Sequence, residues 1–89
     1  MTYTETHVAY LSIETDVEEL LQYKNYLDKQ PFIFPYCEYG FDGYEYFLEF
    51  TTQDHDRQDA GEWADEIYDE MERAFDVLTI EFVTSGSRN

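Results

Sequence analysis

Eighty-nine residues, 43% of them hydrophobic and 19% aromatic, are enough for one domain with a packed core, near the lower end of what folds without disulfides or metals. Twenty-one acids against five Lys and Arg leave a net charge of −16, which repels nucleic acid and anionic membranes and attracts basic proteins. No run nears the ~20 apolar residues of a membrane span. Met1 to Glu5 has no secretory character, and the single Cys37 rules out an internal disulfide, so a cytosolic, cytoplasmic setting is expected.

Residues 7–13 alternate, with Ala9, Leu11 and Ile13 on one face and Val8, Tyr10 and Ser12 on the other, which predicts a first strand. Thr15 or Asp16 offers a helix cap, and Glu18 and Glu19 sit in the first turn, where the helix dipole favours acids. Val17, Leu20, Leu21, Lys24 and Leu27 keep helical spacing, and Pro31 ends the helix after Lys29. A second strand is expected over 32–38, on a sheet edge because Pro35 cannot donate to a central ladder. Tyr39-Gly40-Phe41-Asp42-Gly43 reads as a hairpin loop. A third strand over 44–52 places Tyr44, Tyr46, Leu48 and Phe50 on one side and Glu45, Phe47, Glu49 and Thr51 on the other. The second helix is expected over 58–75, with Ala60, Trp63, Ala64, Ile67, Met71, Ala74 and Phe75 as its apolar stripe. A last strand over 77–83 turns Leu78, Ile80 and Phe82 inward and Thr79 and Glu81 outward, and residues 85–89 read as a frayed tail.

No repeat or linker interrupts the chain, so residues 1–89 form one acidic α+β domain. The order β-α-β-β-α-β with right-handed crossovers predicts the ferredoxin-like split arrangement: four antiparallel strands with both helices on one face.

Three segments are candidate sites. The second helix carries Asp59, Glu62, Asp65, Glu66, Asp69, Glu70 and Glu72 over 13 residue steps. At ~1.5 Å per step this is about one charge per 3 Å, close to the ~3.4 Å phosphate spacing of one DNA strand. Lysines that ordinarily interleave such a face at i+4 are absent, and a merely solvating face has no need of so one-sided a field. The uncovered sheet face is expected to hold Val8, Tyr10, Ile33, Tyr39, Glu45, Phe47, Glu49, Thr79, Glu81 and Val83. Aromatics there suit RNA stacking, but acids replace the basic rim such binding needs, so the face reads as a protein contact, including a homodimer contact. The segment 36–46 sets tyrosines beside acids, with Tyr39, Asp42, Tyr44 and Glu45 suited to arginine through cation–π stacking and carboxylate pairing.

Catalysis has little support. His7 and His55 are far apart, no nucleophile elbow or phosphate loop occurs, and the acids around Cys37 raise a thiol pKa. Asp54-His55-Asp56 starts like a calcium loop but lacks its glycine and closing glutamate, so no metal or other cofactor is expected. The reading is a non-enzymatic acidic inhibitor or regulator that mimics nucleic acid and blocks a basic nucleic-acid-handling protein, in the style of phage anti-CRISPR and anti-restriction proteins. The alternatives are an immunity protein against a basic nuclease toxin, and a halophilic surface.

Overall fold

The computed structural model describes all 89 residues as β1 (Thr2–Leu11), α1 (Val17–Asp28), β2 (Glu38–Phe41), β3 (Tyr46–Asp54), α2 (Arg57–Ala74) and β4 (Val77–Arg88). The strands form one antiparallel sheet in the order β2-β3-β1-β4. With the element order β-α-β-β-α-β, this is the expected ferredoxin-like α+β fold. Leu20 and Leu27 of α1 share one buried cluster with Ala64, Ile67 and Met71 of α2 and with Ala9, Leu11, Leu48 and Phe50 of the sheet. Both helices therefore cover the same sheet face. Neither is long and apolar enough to cross a membrane.

Local chemistry sets the helix starts as expected. The Asp16 side chain accepts hydrogen bonds from the Glu18 and Glu19 amides at 3.0 and 3.4 Å, and Asp56 does the same for Gln58 and Asp59 at 2.8 and 3.4 Å. At its other end, α1 is tied to β2 by Asp28. One of its carboxylate oxygens accepts from the Cys37 amide (2.8 Å) and thiol (3.2 Å), and the other from Lys24 (2.7 Å). Thr52, fully buried on β3, donates its hydroxyl to the Ala60 carbonyl at 2.7 Å and so fixes the first turn of α2 on the sheet.

Four expectations fail, each for a physical reason. The expected second strand breaks at the cis Phe34–Pro35 bond: Ile33 makes an isolated bridge to Thr52, and regular pairing resumes only at Glu38. Three of the five residues of the expected loop are thus strand, and the hairpin turn lies at 42–45, where Gly43 takes a φ of +100°. The first strand starts at Thr2 and stops at Leu11, which leaves Ile13 exposed. The tail is not frayed, because Thr2 pairs with Arg88 and the two long strands run together to the sheet end.

The fourth concerns β4, whose pairing with β1 shifts twice. Thr6 faces Thr84 while His7 faces Phe82, and Tyr10 faces Thr79 while Leu11 faces Val77, so Val83 and Leu78 are the extra residues of two bulges. The bulge at Leu78 breaks the expected alternation there: Leu78 is 56% exposed while Val77 and Ile80 pack on the core. Phe82 keeps the expected helix side, edge-on to His7, though it is 56% exposed on the edge strand.

Candidate functional site

The buried stripe of α2 is Ala60, Ala64, Ile67 and Met71, with Trp63 half-buried beside it. At about 100° per residue, the seven acids of this helix fall on the opposite side, spread over an arc of roughly 160°. Asp59, Glu62, Asp65, Glu66 and Asp69 are exposed as the sequence predicts. Glu70 departs from its expected place: it is half-buried where α2 meets α1, near Tyr23, whose phenol is pushed well above its ordinary pKa by burial first and by Glu70 next. Ala74, expected in the apolar stripe, is exposed in the last turn.

None of the seven carboxylates has a cation within 4.0 Å. The chain holds one ion pair, Lys24–Asp28 at 2.7 Å, besides the His7–Glu5 hydrogen bond at 3.1 Å. The arginines are engaged elsewhere: Arg57 stands 4.9 Å above the Tyr3 ring, Arg73 donates to the Asp69 backbone carbonyl, and Arg88 lies over Phe34 and bonds Gln53. The helix thus carries seven acids against Arg57 and Arg73, a net −5 with no close neutralisation. Its first turn is crowded. Partial desolvation and the neighbouring Asp56, Asp54 and Glu62 raise the pKa of Asp59, whereas hydrogen bonds from the Trp63 indole and the Asp56 amide hold Asp54 low.

The other predicted site residues lie apart from this face. Phe47 and Glu49 are half-buried on the uncovered side of β3, and the Phe47 ring lies over Gly40, where a Cβ would come within 2.5 Å of it. Glu45 is half-buried in the turn, and Tyr44 is its most exposed aromatic at 86%. The Asp42 carboxylate closes that turn by accepting from the Tyr44 and Glu45 amides at 2.9 Å each, which lowers its pKa. Tyr39 pairs with Leu48, so it shares the helix-side face rather than the uncovered one, and Ile33 is buried in the core. The expected aromatic patch therefore shrinks to Val8, Tyr10 and Phe47, among threonines and the glutamates Glu38, Glu49 and Glu81.

One polar constellation escapes a sequence reading. His7 is buried in the core, stacked on Phe50 and edge-on to Tyr68 and Phe82. Its Nε2–H donates to Glu5 at 3.1 Å, which leaves Nδ1 to accept from the Tyr68 hydroxyl. Two residues, i and i+2 on one strand, gave the only signal; the Tyr68 partner is 61 positions away. Burial, Asp65 and Glu5 raise the Tyr68 pKa, so its hydroxyl is a weak nucleophile and the trio works as a satisfied core network.

The largest cavity, about 520 Å³, lies between Phe32, Trp63, Gln53, His55 and Gln30. Its polar groups are turned on one another: Trp63 donates to Asp54, Gln53 to the Pro31 and Ile33 carbonyls, and Gln30 to the Tyr26 carbonyl. No three His, Cys, Asp or Glu side chains are grouped to hold a metal ion. Cys37 is buried, and burial followed by the Asp28 hydrogen bond pushes its thiol up to about 12. No family model matches the chain, and no curated protein or solved structure is significantly similar to it.

Proposed function

We propose that the chain is an acidic inhibitor that presents α2 as a substitute for a phosphate backbone and occupies the basic groove of a nucleic-acid-handling protein. A phage anti-defence protein, directed at a CRISPR or restriction complex, is the setting this reading suits. One observation carries it: the solvent side of α2 holds six exposed carboxylates, Asp59, Glu62, Asp65, Glu66, Asp69 and Glu72, with no cation within 4.0 Å, on a helix anchored along its other side. Uneven placement supports it further. The twelve residues of β4 carry one acid, Glu81, balanced by Arg88, whereas a coat made for hydration alone has no reason to spare this strand.

The test is affinity capture from a bacterial lysate at low salt with the tagged chain, followed by elution with duplex DNA. Release of a nucleic-acid-handling protein by DNA, and its loss at physiological salt strength, supports the reading. Capture of proteins that DNA does not release sinks it.

A further inference from the structure

β4 ends the sheet, and its outer edge is unpaired along the element. From Glu81 to Asn89 every residue is exposed, including Phe82 and Val83 at 56% and 50%. Such an edge offers a row of free N–H and C=O groups, which proteins ordinarily guard with lysine, proline, shortness or a covering loop. β4 has twelve residues, no proline and no lysine, and its Glu81 and Arg88 cancel, on a chain whose net charge is −16. Only the two bulges interrupt it.

We propose that this edge pairs antiparallel with the same edge of a second copy, across a two-fold axis at Ser85, joining two four-stranded sheets into one. The facing of the side chains selects the register. Opposed residues of an antiparallel pair share a face. Glu81 opposes Val8 and Arg88 opposes Thr2, both on the uncovered face, while Phe82 opposes His7 and Ser87 opposes Tyr3, both on the helix side. With Val83 as the extra residue of its bulge, the register Ser85 to Ser85, Thr84 to Gly86, Phe82 to Ser87 and Glu81 to Arg88 keeps every opposed pair on one face. It also sets Glu81 of each copy against Arg88 of the other, two symmetric charge pairs that form as Arg88 exchanges its exposed hydrogen bond to Gln53 and its place over Phe34 for the carboxylate of the second copy. That self-complementarity is what makes a second copy the occupant, rather than a foreign strand.

Elsewhere the copies repel, and salt screens that repulsion over ~8 Å at physiological strength. Salt therefore tightens this dimer, opposite to its effect on a complex with a basic partner.

Sedimentation of the whole chain at about 0.05 M and about 0.5 M NaCl tests the proposal. A concentration-dependent dimer, tighter at high salt, is expected. Glu81→Arg alone weakens it by about tenfold, and adding Arg88→Glu restores it. Under mild oxidation Ser85→Cys forms a disulfide-linked dimer, whereas Gln22→Cys on the exposed side of α1 does not; Cys37, being buried, stays silent in both. A monomer at all concentrations up to about 1 mM overturns the proposal. So does a dimer that ignores Glu81→Arg, or one that Phe47→Ala on the uncovered face abolishes.

Discussion

The solvent side of α2 and the outer edge of β4 are both exposed surfaces of one small domain, yet they are built from opposite chemistry. α2 offers fixed charge: six exposed carboxylates without a cation, held in place because Ala60, Ala64, Ile67 and Met71 lock the helix to the sheet. β4 offers backbone: twelve nearly neutral residues with unpaired hydrogen-bonding groups. α2 carries −5 of the net −16 while β4 is neutral, so salt acts in opposite directions on whatever each surface binds. The first surface depends on tertiary packing for its geometry, the second only on strand pairing.

The sharpest way to break this contrast is to loosen the anchor of α2. Ile67→Ala removes a fully buried side chain between helix and sheet, and a loss of about 2–5 kcal/mol is expected in denaturant unfolding. A variant as stable as the wild type would mean that the acids are not held as a fixed array. Thr52→Val is a smaller perturbation at the same joint. It deletes the buried hydroxyl that bonds Ala60, for an expected cost of about 1 kcal/mol, read in the same experiment.

The seam between α1 and β2 belongs to neither surface and responds to pH instead of salt. Cys37 ionises near 9 in an unfolded chain and at about 12 in the fold, so the folded state keeps a proton that the unfolded state loses. Stability is full below pH ~9 and falls as pH rises through that window. Burial raises Tyr23 in the same direction. Denaturation midpoints between pH 8 and 11 check this, and Cys37→Ala should flatten the decline. The smallest effect is expected where charge is densest: Glu62→Lys with Glu66→Lys changes folding stability by less than ~0.5 kcal/mol, because both side chains are exposed.

The sequence carried these regions unequally. α2 was legible because its apolar stripe and its acids both follow the helical period, and the split β-α-β-β-α-β order followed from two such stripes among alternating strands. β1 and β4 were half legible. Their outer halves are Thr2 to Thr6 and Thr84 to Arg88, where strand structure is set by pairing across the sheet and the local pattern of apolar residues is missing. The bulges at Leu78 and Val83 left no local mark, and they turned Leu78 from an expected core residue into an exposed one. β2 does lie at the sheet edge that Pro35 implies, but Pro35 itself falls outside that strand: regular pairing begins only at Glu38, which moves the hairpin turn to 42–45 and puts Tyr39 on the helix-side face. Of the site, the α2 acids were readable one by one, except Glu70, whose half-burial depends on where α1 packs.

The central claim, that α2 binds by its fixed carboxylates, is tested most directly by titrating wild type and the Glu62→Lys, Glu66→Lys variant against the DNA-releasable captured protein, by calorimetry over a range of salt. The account predicts a wild-type affinity that falls steeply with salt, and a folded variant that binds at least about a hundredfold more weakly with a shallower salt dependence. A variant that binds as tightly as the wild type, with the same salt dependence, contradicts it.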